Sequence, residues 1–284
     1  MFIWLASYPK SGNTLVRALL SSYFFSKDGI FNFKLIKNIK QFPNAGLFEN
    51  LGIDIGNDKE VVKNYIKVQE SINQKNSIQF LKTHSYLFNI DNNPFTDLNN
   101  TLGTIYIVRD PRNVVTSYAH HNNITVEESF FRMTNSVHYG GDIKSKHEAD
   151  RAKVYLGSWS SNFNSWKSFE PVGKYLLIKY EELISNKEET LLKILKYIHK
   201  LKKINFVPDN KKLKNIIEST TFEKMKSEEE KSGFSESKTI LKTGKKIPFF
   251  NLGPKNKWEN ILEPKIIKKI ENSFNVEMKE LGYL

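Results

Sequence analysis

Three short stretches carry residues whose types and spacing could bind and process an anion. They are Tyr8-Pro9-Lys10-Ser11-Gly12-Asn13-Thr14, Lys82-Thr83-His84 and Arg109-Asp110-Pro111-Arg112-Asn113. In the first, Pro9 fixes one φ and Gly12 permits a left-handed or crowded backbone position. Backbone N–H groups in the first turn of a following helix lack intrahelical partners, and the macrodipole places partial positive charge there. Lys10 adds a full charge, and Ser11, Asn13 and Thr14 offer side-chain hydrogen bonds. Because Lys10 precedes Gly12 instead of following it, the loop is not the pattern GxxxxGK[ST]. His84 has a near-neutral intrinsic pKa suited to proton transfer, and Arg109 offers a fork of donors suited to a phosphate. Taken alone, each stretch also has a plain reading. The first is an ordinary strand-to-helix turn, His84 a structural or surface histidine, and Arg109 half of a surface ion pair.

The elements that must position these groups follow from the apolar pattern. Residues 2–6, 78–82 and 104–108 are short apolar runs of strand type, and each ends at one of the three stretches. After the first, Leu15, Leu19 and Tyr23 recur at helical spacing, with Val16 and Leu20 beside them. After the third, Asp110 is a helix N-cap and Pro111 a first helical residue, the helix stopping near His120-His121-Asn122-Asn123. Helices are expected over about 58–75, 125–137, 150–169, 181–200, 208–219 and 264–280, with a fourth clear strand at 174–178. Trp159, Phe163 and Trp166 share one helix face, and Trp258 is also expected in the core. Residues 27–58 are a loop-rich excursion with weak helix, and 89–100 a polar turn region. Residues 221–226 add a turn, 228–257 lack periodicity, and Tyr139-Gly140-Gly141-Asp142 opens a mobile loop running to about 149.

Strands alternating with helices give an α/β protein with a parallel β-sheet covered by helices on both faces. In such sheets ligands bind outside the carboxyl ends of the strands, so Lys10, Lys82, His84 and Arg109 share one rim. With 284 residues, no internal repeat and no linker, residues 1–284 are expected to form one domain. The absence of cysteine excludes disulfides, thiolate chemistry and Cys-ligated zinc. No metal site is expected, since no carboxylate or histidine pair has ligand spacing. No signal peptide and no membrane span are read, and the protein is expected to be cytoplasmic. Lys plus Arg exceed Asp plus Glu by 43 − 31 = 12, which favours an anionic partner, although the basic residues are scattered.

Tyr8 to Thr14 resembles the 5′-phosphosulfate loop YPKSGTTW of sulfotransferases that use 3′-phosphoadenosine 5′-phosphosulfate (PAPS). The stretch from Arg109 to Tyr118 resembles their 3′-phosphate motif, with Arg109 and Ser117 eight positions apart. Lys82-Thr83-His84 is similar to the KTH that lies between them. Looser matches continue along the chain: Leu156-Gly157-Ser158-Trp159 with Trp166, Tyr180-Glu181-Glu182-Leu183, Thr220 to Met225, and Phe249 to Asn260. The chain is thus identified as a member of the PAPS-dependent sulfotransferases, of cytosolic type and bacterial-like.

The resemblance implies a P-loop-NTPase-like three-layer architecture and transfer of a sulfuryl group from PAPS to a hydroxyl or amine, leaving PAP (3′-phosphoadenosine 5′-phosphate). It implies His84 as general base, Lys10 neutralising the leaving phosphate oxygen, and Lys82 on the transferring sulfuryl oxygens. Ser11, Gly12, Asn13 and Thr14 would hold the 5′-phosphate, and Arg109 and Ser117 the 3′-phosphate. Tyr180, Thr220, Phe222 and Gly253 would surround the adenine side. The acceptor implied is a small molecule or glycan, shaped by segments 27–58, 85–100, 120–148 and 229–248; a nucleic-acid partner is not expected. His120, His121, His138 and His147 border that region as solvated residues. Two departures stand out. Leu15 replaces the family's tryptophan, and Asn251-Leu252 replaces an Arg-Lys pair on the 3′-phosphate, for which Lys255, Lys257 or the Lys242–Lys245 stretch could compensate. Two other classes remain: a nucleotide-dependent phosphoryl transferase of kinase type, and a catalytically silent basic protein that binds nucleotide or nucleic acid.

Overall fold

The computed structural model describes residues 1–73, 79–139, 152–240, 243–244 and 246–284. Its centre is a five-stranded sheet of β1 (Phe2–Ser7), β2 (Lys40–Gln41), β3 (Gln79–Thr83), β4 (Thr101–Val108) and β5 (Tyr175–Lys179), in the order β2-β3-β1-β4-β5. Every pairing is parallel. β1 is central and buried at all six positions, which is why it reads as a continuous apolar run and not as an alternation. Its Phe2, Trp4 and Ala6 enter one core and its Ile3 and Leu5 the other.

The two cores lie on opposite faces of the sheet and make three layers. One contains Val16, Leu19 and Leu20 from α1 (Asn13–Phe25), with Ile194, Leu195 and Ile198 of Lys187–Lys202 and Leu213 and Ile216 of Asn210–Ser219. The other contains Val114, Val115 and Tyr118 from α2 (Pro111–Asn122), Trp159, Phe163 and Trp166 of Trp159–Lys167, and Ile266 and Ile270 of Pro264–Ser273. Trp4 anchors this second core, with its ring centroid 5.3 Å from Phe95 and 5.9 Å from Trp166.

Several expected elements differ in detail. The helix expected over 150–169 is in part a strand: Val154–Gly157 pairs antiparallel with Val137–Tyr139, and the helix begins only at Trp159. A β-branched and aromatic run followed by Gly157 at φ 66° explains the switch, with the Ser158 hydroxyl capping the new helix through Ser161 N at 3.0 Å. In place of the one helix expected over 58–75 there are two, Asp58–Lys63 and Tyr65–Ile72, broken at Asn64. Residues 264–280 likewise form Pro264–Ser273 and Asn275–Glu280, and a break at Asn186 separates Tyr180–Ser185 from Lys187–Lys202. The turn expected at 221–226 is a full helix, Phe222–Ser232, capped by the Thr221 side chain. Within 89–100 lies a small hairpin, Asn89–Ile90 with Asn93–Pro94. Trp159 and Trp166 are core residues as expected, whereas Trp258 is only partly buried, under the Arg112 guanidinium at 4.0 Å. The expected loop to 149, Ile78, His147, Lys242 and Lys245 lie outside the described residues, as does the side chain of His138.

Candidate active site

β1 delivers the chain to the rim at Ser7, and the turn that follows is built by two residues of positive φ, Lys10 at 67° and Gly12 at 105°. A Cβ at Gly12 would stand 2.6 Å from the Tyr180 ring, so glycine is required there for space as well as for conformation. Gly12 is the N-cap of α1, and no side chain caps that helix, leaving its first-turn N–H groups to a ligand. Asn13 donates through Nδ2 to Leu5 O at 2.9 Å and Ser7 Oγ at 3.2 Å, pinning the helix start to the strand end. Arg109, at the end of β4, donates to Lys10 O at 3.3 Å and lies 4.2 Å above the Tyr180 ring. The first and third stretches are therefore in contact.

His84 follows β3. Its Nδ1 lies 2.8 Å from the carbonyl oxygen of Ser7, which can only accept, so Nδ1 carries the proton and Nε2 the lone pair. Burial, reinforced by the charge of Lys82, pushes its pKa down to about 3, so the imidazole is neutral across the physiological range. Lys82 is buried next to it, its ammonium 3.1 Å from Glu236 Oε1. Lys10 places its ammonium 3.7 Å over the Phe249 ring. Burial, together with the charges of Arg109, Lys82 and Lys238, brings its pKa down to about 7 although Glu236 opposes the shift.

These groups line one cavity of about 1150 Å³. Of the residues expected at the site, Lys10, Gly12, Asn13, Thr14, Lys82, His84, Arg109, Ser117, Tyr180, Thr220, Phe222 and Gly253 all face it. Ser11 does not, being buried beneath the loop. Among the described residues, Ser11 Oγ, Asn13 Oδ1 and Arg109 Nε are buried polar atoms without a hydrogen-bond partner, as are Tyr65 Oη and Thr104 Oγ1 elsewhere in the fold. Asn13 and Arg109 line the cavity, so a polar ligand there would satisfy both. Gly253, at φ 55°, has its Cα against the Phe222 ring, where a Cβ would stand 2.2 Å away. Thr116 and Asn113 hold the loop carrying Gly253 by hydrogen bonds of 2.9 Å to Asn256, fixing it to α2. Asp110 caps α2 through Arg112 N at 2.9 Å, as expected, and also pairs with the Arg112 guanidinium.

Other cavity-lining groups carry no signal in the sequence. Glu236 binds Thr14, Arg17 and Lys82. His121 is not solvated: burial first, then the charge of Lys10, drives its pKa down to about 2. His120 is half-buried beside it. Lys187, with its ammonium 3.0 Å from Thr220 O, and Lys238 also face the cavity. The Lys255 and Lys257 side chains are exposed and do not line it. Asn251 and Leu252 do, at the place where the family motif carries cations. Among the described residues no group of three or more His, Asp or Glu is arranged to hold a metal, and no helix is long and apolar enough to cross a membrane.

Comparison with known proteins agrees with this geometry. A mouse sulfotransferase solved with PAP superimposes with a TM-score of 0.54 at 20% identity, over 98% of this chain and 83% of that one. A retinol dehydratase solved with retinol and PAP gives a TM-score of 0.59 at 16% identity, over 98% and 81%. Both show the fold: a parallel sheet between helical layers, P-loop-NTPase-like in architecture. Flavonol 3-sulfotransferase from Flaveria bidentis is 25% identical over 99% of this chain and 82% of its own. Dog (Canis lupus familiaris) sulfotransferase 1A1 is 24% identical over 78% of this chain and 65% of its own. Residues 2–282, nearly the whole chain, match the family model for the sulfotransferase domain, and the chain belongs to the PAPS-dependent sulfotransferase family.

Proposed function

We propose that this enzyme moves the sulfuryl group of PAPS onto a hydroxyl or amine of a small-molecule or glycan-like acceptor, with His84 as the base. The observation that carries the reading is the convergence of Lys10, Lys82, His84 and Arg109 on one cavity at the carboxyl ends of three adjacent parallel strands. As in phosphoryl transfer, a loose transition state leaves the protein mainly positioning and charge stabilisation to supply. The bond broken joins sulfur to the oxygen bridging it to phosphorus; the bond formed joins sulfur to the acceptor. With Nδ1 tied to Ser7 O, His84 Nε2 is the atom that receives the acceptor's proton. Lys10 meets the charge developing on the bridging oxygen, and Lys82 the oxygens in transfer.

Arg109 and Ser117 hold the 3′-phosphate; Gly12, Asn13 and Thr14, with the free N–H groups of α1, hold the 5′-phosphate. Tyr180, Thr220, Phe222 and Gly253 bound the adenine side, with Gly253 lying against the Phe222 ring. Gln41, Pro43, Asn44, Glu49, Ala152 and Val154 also line the cavity and offer the acceptor a wall of mixed polar and apolar character. The names of relatives that act on a flavonol or are bound to retinol support a small-molecule acceptor. The match from 2 to 282 supports reading the chain as one sulfotransferase domain. The kinase-like and silent-binder readings find no support in that match. A thermal-shift comparison tests all three: PAP should raise the melting temperature, whereas ATP with Mg²⁺ and oligonucleotides should not. Sulfation of a panel of alcohols and amines with labelled PAPS then identifies the acceptor; stabilisation by ATP–Mg²⁺ but not by PAP would refute the proposal.

A further inference from the structure

A carboxylate from a distant loop lies among the groups that the donor's 5′ anion needs. Glu236 follows the helix Phe222–Ser232 and precedes the short strand Lys238–Thr239. Its Oε2 accepts from Thr14 Oγ1 at 3.0 Å; its Oε1 accepts from Lys82 Nζ at 3.1 Å and from the Arg17 guanidinium. Thr14 and Lys82 are the residues placed above on the 5′-phosphate and on the sulfuryl oxygens. Arg17, one turn further along α1, is buried and also donates to Ile36 O and Ile39 O, at 3.4 and 3.3 Å. Burial opposes a charge on Glu236, yet Lys82 and Arg17 overcome it and hold the carboxyl far below its usual range.

The loop is seated, not dangling. Two residues before Glu236, Phe234 is buried and stacked on Phe33 at 4.5 Å, with Phe249 at 5.1 Å and Phe250 at 5.9 Å. One residue after it, the Ser237 hydroxyl donates to Glu229, whose carboxylate also receives the N–H groups of Phe249 at 2.7 Å and Phe250 at 2.9 Å. The loop that presents Glu236 thus shares its footing with the ring on which the Lys10 ammonium rests.

A phosphate or sulfonate bonded to Thr14 and Lys82 would lie at contact distance from the same carboxylate, and in a half-buried site two such anions repel strongly. We propose that Glu236 is an internal competitor for the donor's 5′ anion and, through that competition, a specificity-determining residue for the donor. The proposal rests on the donor reading given above. A ligand must displace the carboxylate to bind, and only one that brings a 5′-phosphate while anchored at Arg109 regains the contacts that displacement gives up. The observed dissociation constant is then the intrinsic one divided by the fraction of molecules with Glu236 withdrawn.

Calorimetric titration of PAP and of adenosine 3′-monophosphate, which lacks the 5′-phosphate, into the wild type and Glu236→Gln tests this. PAP should bind the variant about tenfold tighter or more, with the affinity for adenosine 3′-monophosphate unchanged. Unchanged or weaker PAP binding in the variant overturns the proposal, as does an equal gain for both ligands, since a merely structural role moves both together. Should the variant fail to fold, a crystal structure of the wild type with PAP decides: Glu236 out of hydrogen-bond reach of Thr14 and Lys82 supports the competition, and Glu236 still bonded to both overturns it. PAP binding to neither protein sinks the donor reading and this inference with it, whereas binding to the wild type without a gain in the variant sinks only the competition.

Discussion

The Lys10 ammonium offers a measurement that reads the site directly. Its pKa stands at about 7 because it is buried beside Arg109, Lys82 and Lys238. Donor binding places phosphate charge next to it and so favours the cation. Any molecule in which Lys10 was neutral must then take up a proton on binding. With a free-state pKa of about 7, Lys10 is mostly neutral at pH 8, and PAP binding should take up protons there. Above pH 7 PAP affinity falls as the pH rises and Lys10 loses its proton in the free protein, by at most about tenfold per unit. Titrations at pH 8 in buffers of different ionisation enthalpy measure the uptake. His84 and His121, at about 3 and 2, stand too far below pH 8 to contribute, and the PAP phosphates, with second pKa values of about 6, are ionised there. Proton uptake at pH 8 that persists undiminished in Lys10→Met would refute the assignment of Lys10 to the 5′ side of the donor.

Four further outcomes can be checked. His84→Ala should lower turnover on the order of 10²–10⁴ and leave PAP affinity unchanged; turnover close to wild type would remove His84 as the base. Since His84 is already neutral in the free enzyme, the pH profile of kcat/KM for the wild type should show no acid limb near 6.5. Arg109→Ala should weaken PAP by about 1.5–3 kcal/mol, the range for a charge-assisted hydrogen bond, with the fold intact by circular dichroism; unchanged affinity would separate Arg109 from the 3′-phosphate. The double change Asn251→Arg and Leu252→Lys restores two cations beside the cavity and should tighten PAP by about tenfold; no gain would show that Lys187 and Lys238 already supply that charge.

The sheet was legible because its strands are buried on both faces. Residues 2–6 and 104–108 announce themselves as apolar runs, and each leads into a helix with an evident start at Gly12 or Asp110-Pro111. The two-residue edge strand Lys40–Gln41 carries no such run: Lys40 is exposed and Gln41 half-buried, and only the neighbouring β3 makes them a strand. The error over 150–169 has a similar cause. The helical spacing of Trp159, Phe163 and Trp166 is real, but a 3.6-residue pattern says little about where a helix begins, and Val154–Gly157 takes its state from pairing with Val137–Tyr139.

The site divides along the same line. Its legible residues sit at strand ends within three contiguous motifs, where local sequence dictates both conformation and chemistry. What the motifs do not contain is set by contacts between residues far apart in the chain. Glu236 reaches Thr14 across 222 positions, and no spacing rule connects them. His121 differs from an exposed histidine only because Phe249 packs against its ring at 5.7 Å and Lys10 lies nearby. The loss of the Arg-Lys pair at Asn251-Leu252 was visible, but its consequence was not, because the cations that face the cavity, Lys187 and Lys238, come from a helix and a strand outside that motif. A motif therefore fixes which anion the rim can grip, while the residues that modulate the grip are chosen by the tertiary fold. This is why Glu236, which belongs to no motif, is a residue whose change is expected to strengthen the site.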